Sequence, residues 1–402
     1  MKVLSLSAYK NEFSFIFYDG NFSSILMRGK VSDIGDEGSF LKIFFSNEKN
    51  IVIKKFFPDY VSGLQEVIKW LKDSKYGVIK SEEQIDIIAH RVVHGGYDIP
   101  MAAYISNDII KTIEDLTPLA PLHNVYNLLL IKAAERLLEN TNQIAVFDNH
   151  FFNDMPEHNK LYALPKDIVN KYKIRRYGYH GLIHRENLDK LSEKLGKSKK
   201  ELSIISCFLG RGMSISVIEN GKAKNISTGF GTFAGLPTLT RAGTIDAAVI
   251  IYLLEHSNYS LNSLKNILYE KSGLRGMADN FDLNFDDFIN AYNNNKQPEK
   301  DIYNFFINQI ASTISGFMPD FDNMPDAIVF SGRYSNLYPA IRKHVIDKLH
   351  CLDIEIDDEV NNKNIIDSQI NSENSKIKIF NFKNDYLVET AKVAIEFYNL
   401  TK

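Results

Sequence analysis

Seven consecutive residues hold the densest chemistry in the chain: Arg175-Arg176-Tyr177-Gly178-Tyr179-His180-Gly181 sets two guanidiniums and an imidazole among two glycines. Such a cluster suits an anion better than a hydrophobic core. The segment before it, Lys166 to Lys173, reads as an ordinary surface helix. Downstream, Leu209-Gly210-Arg211-Gly212 closes one apolar run and Met213 to Ile218 opens the next, which predicts a tight glycine turn between two strands. Thr240-Arg241 then leads into Ala242-Gly243-Thr244-Ile245-Asp246, where Thr244 is read as the cap of a helix running through Ala247 to Glu255. Turn amides, the exposed amides of a helix start and fixed arginines are together the equipment of phosphate binding.

The elements that must position these groups follow a repeated order. In the first half, Val3 to Leu6 and Phe13 to Tyr18 alternate as strands around a turn at Tyr9 to Glu12, and Asp19-Gly20 signals a hairpin into a third strand, Ser24 to Val31. Leu64, Val67, Ile68 and Leu71 recur at helical spacing, so a helix is predicted over Asp59 to Lys72, with Trp70 as a packing residue. Ile85 to Ala89 reads as an apolar strand delivering His90-Arg91 at its carboxyl end, where α/β folds place ligands. A helix over Val125 to Leu138 and a strand over Gln143 to Phe147 follow, the strand ending in Asp148. The second half opens in the same way: strands over Leu202 to Leu209, Met213 to Ile218 and Ala223 to Ile226, with an Asn220-Gly221 hairpin. Helices are expected at Ile245 to Glu255, Leu261 to Tyr269, Tyr303 to Phe317 and Tyr386 to Tyr398, and a strand at Ala327 to Phe330; Asn290 to Lys300 and Asn361 to Lys376 read as surface connections. The repetition predicts an α/β protein of two related lobes, residues 1–150 and 151–385, facing across a cleft.

Composition narrows the function classes. At 402 residues the chain can build two cores, and 44% hydrophobic with 24% charged residues is ordinary for a globular protein. Lys plus Arg total 47 against 50 Asp plus Glu, so a net charge of −3 gives no reason to expect nucleic acid, and local cation clusters read as sites. Two cysteines, Cys207 and Cys351, cannot make a disulfide framework and lack metal-ligand spacing. No apolar run reaches membrane-spanning length and no signal-peptide core follows Met1, so a cytoplasmic location is expected.

Beside the cluster at 175–181, the motifs His90-Arg91-Val92-Val93-His94-Gly95-Gly96, Leu119-Ala120-Pro121-Leu122-His123-Asn124, Val146-Phe147-Asp148 and Lys271-Ser272-Gly273-Leu274 resemble, in order and spacing, those of the acetate kinase family of carboxylate kinases. The resemblance covers nearly the whole chain. It implies a duplicated ribonuclease-H-like fold, as in actin, sugar kinases and the heat-shock chaperone ATPase, with the last helix, 386–402, returning to the first lobe. It also implies a homodimer and phosphoryl transfer between ATP and a short-chain carboxylate with Mg²⁺. By position, Arg91 and Arg241 match the arginines that hold the carboxylate and the transferring group, His180 matches the histidine hydrogen-bonded to that group, and Asp148 matches the catalytic acid near the metal. A carboxylate beside two arginines stays ionised and can help hold Mg²⁺ through water. Val93 and Leu122 match the small apolar pocket for the acid, where Tyr179 replaces a Phe and Thr232 a Pro.

The departures gather on the donor side. The family's Asn-Ala-Gly-Ser-Ser-Ser loop reads Ser7-Ala8-Tyr9-Lys10-Asn11-Glu12 here, and His-Leu-Gly-Asn-Gly reads Phe208-Leu209-Gly210-Arg211-Gly212. Gly-Ile-Gly-Glu-Asn has become Arg333-Tyr334-Ser335-Asn336-Leu337, and Asn-Glu has become Asn384-Asp385, which shortens the carboxylate on the metal side. Each altered loop gains a cation, Lys10, Arg211 or Arg333, which with Gly210 and Gly212 are the expected phosphate or nucleotide contacts. Long basic side chains in the adenosine channel suit a compact donor such as pyrophosphate. The alternative is a non-enzymatic relative that binds phosphate or acyl phosphate.

Overall fold

Apolar alternation, rather than local helix propensity, sets the architecture of both halves of the chain. The computed structural model describes residues 1–45 and 50–402, which form two units: Met1–His150 with Asp385–Lys402, and Phe151–Asn384. The first unit contains β1 (Lys2–Tyr9), β2 (Glu12–Asp19), β3 (Ser24–Ser32), β4 (Phe40–Phe44), β5 (Asn50–Lys54), β6 (Ile87–Val92), β7 (Ala102–Tyr104) and β8 (Asn142–Phe147). They lie in one sheet in the order β5-β4-β3-β2-β1-β6-β8-β7, with β1, β6 and β8 mutually parallel. Both faces of β1 are buried. Leu4, Leu6 and Ala8 pack in one core with Leu64, Val67 and Leu130 of the helices Tyr60–Leu71 and Asn124–Leu137, whereas Ser5, on the opposite face, donates its hydroxyl to the Leu387 carbonyl at 2.8 Å. That second face is covered by the final helix, Tyr386–Thr401.

The second unit contains β9 (Ser203–Leu209), β10 (Met213–Glu219), β11 (Lys222–Ile226), β12 (Ala327–Ser331), β13 (Ser368–Gln369) and β14 (Lys378–Phe382), in the order β11-β10-β9-β12-β14-β13. Three antiparallel strands are followed by two parallel neighbours, as in β3-β2-β1-β6-β8, so the duplication read from the strand pattern is real as topology. Ile205, Cys207 and Leu209 of β9 pack with Phe306 and Ile310 of the helix Glu299–Gly316, while Ile204 on the other face packs with Leu188 and Leu191 of the helix Gly181–Leu195. Asn220 and Gly221 both take positive φ, 55° and 78°, as a type I′ hairpin requires.

Several boundaries differ from the reading above for identifiable reasons. His90 and Arg91 lie inside β6, not beyond it, because parallel pairing to β8 continues through Arg91↔Val146 and Val92↔Phe147. Asp86, read as part of that strand, instead accepts the Lys2 amide at 2.7 Å ahead of it. Thr244 does not cap the helix Ala247–His256: its hydroxyl accepts the Gly235 amide at 2.9 Å, and Asp246 caps the helix through the Ala248 amide at 2.8 Å. Most of Asn290 to Lys300 is helical, ending Phe285–Asn293 and starting Glu299–Gly316.

Gly332, at φ +89°, ends β12 where an added Cβ would lie 2.8 Å from the Leu209 carbonyl of the neighbouring strand. Gly332→Ala is therefore expected to destabilise the second unit by ~3 kcal/mol, read as faster amide exchange in β9 and β12. Gly316→Ala, where a Cβ meets nothing within 4 Å, should leave that exchange unchanged.

Candidate active site

In the first unit the parallel pairing of β6 with β8 brings Arg91 next to the residue that follows β8. The Arg91 guanidinium donates to the Asp148 carboxylate, and its centre lies 4.7 Å from the centroid of the Tyr386 ring at the start of the final helix. The Arg91 side chain is 11% exposed and that of Asp148 only 1%, so this is a desolvated pair, and breaking it by removing the carboxylate costs about 3–5 kcal/mol. Arg91 Nε has no hydrogen-bond partner among the described residues, which leaves a donor of the guanidinium for an anion.

The loop after β6 is held by two asparagines. Asn124 accepts the His94 amide at 3.3 Å and donates to the His94 carbonyl at 2.9 Å; Asn149 accepts the Gly95 amide at 2.9 Å and donates to the Gly96 carbonyl at 2.7 Å. A Cβ at Gly95 would lie 2.2 Å from the Phe147 ring, so this close approach requires glycine. Val93 is buried in the loop, and half-buried Leu122 accepts the Lys10 amide at 3.3 Å. Burial pushes the His90 imidazole down to about 4, against the opposing effect of its 2.8 Å contact with the Gln143 side chain, and pushes His94 down to about 3. Both rings are therefore neutral near pH 7.

Asp385 stands at the N-terminus of the final helix. One carboxylate oxygen accepts the Leu387 and Val388 amides at 3.1 and 3.4 Å, and the other pairs with Arg28. Burial raises the Tyr386 phenol; Arg91, Asp385, Glu12 and Arg28 are the charges that act on it. Sequence reasoning passed over Tyr386 and Arg28, which carried no motif. Among the described residues no three His, Cys, Asp or Glu side chains cluster as a closed metal site.

In the second unit His180 takes the left-handed conformation, φ 64°, and caps the helix Gly181–Leu195, an element the sequence reading left unassigned. Its Nδ1 lies 3.0 Å from the Ser214 hydroxyl, and its ring packs 4.9 Å from that of Phe208. A Cβ at Gly212 would lie 2.9 Å from His180 Nε2 and 3.7 Å from Arg241 Nη1, so both groups border the space that this glycine leaves open. The turn is as tight as its composition implies, with the Gly210 amide donating to the Gly212 carbonyl at 3.1 Å. Arg241 follows a loop pinned by Thr238, whose hydroxyl accepts the Arg241 amide at 3.0 Å. The Ser272 and Leu274 amides reach the Thr240 and Thr238 carbonyls, each at 3.0 Å, and Gly273 at φ +67° has no room for a Cβ against Thr238. The motif at 271–274 thus acts as a strap for the Arg241 loop.

Not every candidate joins this group. Arg176 donates to the Ile226 and Thr228 carbonyls at 2.8 and 3.4 Å and so braces the edge strand β11, and Arg175 lies 3.7 Å from Glu157. Tyr179 donates its hydroxyl to the Phe230 carbonyl at 2.7 Å, and its amide donates to the Thr228 hydroxyl at 3.1 Å. Burial, with Tyr269 nearby, holds that phenol protonated. The Phe-to-Tyr change is thereby absorbed by a backbone partner, and Tyr179 is tied to the 228–232 segment. In that segment Thr232 Oγ1 is buried without a hydrogen-bond partner among the described residues. Arg211 and Arg333 are exposed, each two residues past the ends of β9 and β12, strands paired at Ser331↔Phe208. Lys10 belongs to the first unit, in the β1–β2 turn at φ 50°.

The chain matches the acetokinase family over residues 2–390. It is 34% identical over 378 residues to the acetate kinase of Acetivibrio thermocellus, covering 94% of each chain. It belongs to the acetokinase family. The acetate kinase of Desulforamulus reducens is likewise 34% identical, over 90% of this chain and 91% of that one. Solved acetokinase structures agree: Porphyromonas gingivalis acetate kinase superposes with a TM-score of 0.90 at 31% identity, over 98% of this chain and 99% of that one. A propionate kinase from Francisella tularensis gives 0.89 at 27% identity, over 97% and 98%. As an acetokinase, the protein is a phosphotransferase with a carboxylate acceptor, making acyl phosphate.

His90 and His94 add a pH dependence to stability. Their folded values of about 4 and about 3 lie below the ordinary 6.5, so the unfolded chain binds more protons at acid pH. Their contribution is complete above about pH 6.5 and is lost as pH falls below it. The melting temperature is expected to drop between pH 6.5 and 4, and His90→Gln should flatten part of that slope in scanning calorimetry.

Proposed function

We propose that the protein moves a phosphoryl group between ATP and a short-chain carboxylate, with Arg91, Asp148, His180 and Arg241 serving that one reaction. The observation that carries this reading is the approach of His180 Nε2 and Arg241 Nη1 to the open position beside Gly212. Bringing two anions together requires cations around the acceptor and donors to the equatorial oxygens of the group in flight. Arg91, with its spare Nε donor, and Arg241 neutralise the reacting anions, and His180 donates to a phosphoryl oxygen. Asp148 holds the Arg91 guanidinium in place. The hard carboxylate oxygens of Asp148 and Asp385 suit Mg²⁺, held through its water ligands because Asp385 is already committed to Arg28 and the helix cap. Bound there, the ion neutralises donor phosphate charge.

Val93 and Leu122 of the first unit, and the Tyr179 ring and Thr232 of the second, are the residues this proposal assigns to the acceptor. Acetate and propionate are both proposed as acceptors, since one methylene discriminates by only roughly 1–3 kcal/mol. A compact donor such as pyrophosphate is the second reading, favoured by exposed Arg211 and Arg333 at the carboxyl ends of paired strands.

We also propose that the protein is a cytoplasmic homodimer. The helix Ala247–His256 is apolar on every side, and Val249, Ile251, Tyr252 and Leu254 are 41–61% exposed. No helix among the described residues is long and apolar enough to cross a membrane, so a second copy is the proposed cover. Ile251→Glu is expected to shift the sedimenting mass from twice 45.9 kDa to that of one chain.

Hydroxamate trapping of acyl phosphate, with acetate or propionate and with ATP or pyrophosphate, tests the reaction. Product is expected with ATP; product with pyrophosphate alone would move the assignment to the compact donor, and none with either from folded protein would overturn both. Arg241→Ala should lower kcat/KM roughly a hundredfold or more at unchanged melting temperature, whereas Arg91→Ala should cost stability as well.

A further inference from the structure

Behind His180 a line of buried polar groups runs into the second unit. Ser214 Oγ lies 3.0 Å from His180 Nδ1 and 2.8 Å from His184 Nε2; His184 Nδ1 lies 2.7 Å from Ser206 Oγ. Asn187 Nδ2 donates to Ser206 Oγ and to Ser331 Oγ, each at 2.9 Å, and Asn187 Oδ1 accepts from Asn384 at 2.9 Å. His184, Asn187, Ser206, Ser214 and Ser331 are all fully buried. The helix Gly181–Leu195 places His184 and Asn187 on the face that, one turn later, carries Leu188 and Leu191 toward β9. Four hydroxyl and imidazole groups joined to one another in a fully buried core are an arrangement that simple packing does not need.

We propose that this line is directional and holds neutral His180 as the tautomer with its proton on Nε2, facing the open position beside Gly212. The assignment follows from counting donors. The Ser331 hydroxyl gives its proton to the Cys207 carbonyl at 3.3 Å, so it must accept from Asn187, which fixes the orientation of that amide. Ser206 Oγ also accepts from Asn187, and among the described residues its own proton has one acceptor, His184 Nδ1. His184 then carries its proton on Nε2 and donates to Ser214. The Ser214 proton goes to His180 Nδ1, and His180 Nε2–H points outward. Reversing the line would leave the buried Ser206 proton without an acceptor, an unfavourable state in a dry core. Asn187, Ser206, His184 and Ser214 are therefore positioning residues: they touch no substrate but fix which ring nitrogen is the donor.

The proposal rests on the reading of His180 as the donor to the phosphoryl group, and the experiment separates the two. In ¹⁵N-histidine-labelled protein, with the His180 signals identified by their loss in His180→Asn, the expected state is protonated Nε2 and unprotonated Nδ1. Ser206→Ala, three hydrogen bonds away from His180, should mix the tautomers and lower kcat about tenfold with KM unchanged; Ser214→Ala should do the same and serves if the first variant does not fold. Protonated Nδ1 in the wild type, or unchanged tautomer and kcat in a folded variant, overturns the proposal. A shifted tautomer with unchanged hydroxamate formation upholds the line and removes His180 from the reaction instead.

Discussion

The parallel ladders β1-β6-β8 in the first unit and β9-β12-β14 in the second are the constraint on which everything else depends. A parallel ladder brings the carboxyl ends of neighbouring strands to one edge, so residues distant in sequence arrive together. In the first unit β6 and β8 thus supply Arg91 and Asp148. In the second, β9 and β12 supply the Gly210–Gly212 turn and the Gly332–Arg333 segment. β1 and β12 are buried on both faces, and β12 is accordingly an almost continuous apolar run, whereas β1 sets serines on one face.

The polar groups at these edges are held more firmly than an exposed site would need. Asn124 and Asn149 satisfy both the donor and acceptor groups of the 94–96 loop, and the Arg91–Asp148 pair is dry enough that neither charge is dispensable. Buried pairs of this kind contribute little net stability, because desolvation offsets their attraction. Their role here is geometric: a guanidinium pinned by a carboxylate on one side and an aromatic ring on another has few rotamers left to lose when an anion arrives.

The sequence disclosed β1 to β3, β6 and β8 to β12, both hairpins and the residues at the strand ends, because alternation and turn chemistry are local signals, but not the short strands β4, β5, β7, β13 and β14. It missed what tertiary contacts decide. His184 and Asn187 interrupt the apolar stripe of the helix Gly181–Leu195 with polar groups whose partners lie on β9 and β10, so the periodicity faded there. Arg175 and Arg176 read as anion ligands because cations beside glycines look alike whether they face a phosphate or a backbone carbonyl. Thr244 and Asp246 are both good caps two residues apart, and the Gly235 amide, remote in sequence, decides between them. Asp385, singled out by family position, also pairs with Arg28 and caps the final helix, contacts that the sequence did not announce.

The 16-residue final helix belongs to the first unit, although the whole second unit precedes it in the chain. During translation the first sheet therefore emerges from the ribosome long before one of its faces can be covered, and Arg91 waits for the aromatic ring beneath it until Tyr386 has been added. A message broken anywhere upstream yields a sheet with a bare apolar face, a natural target for chaperones and proteases. Only a chain read through to that helix escapes such quality control, so the first unit's Arg91 is seated only after the whole second unit has been translated.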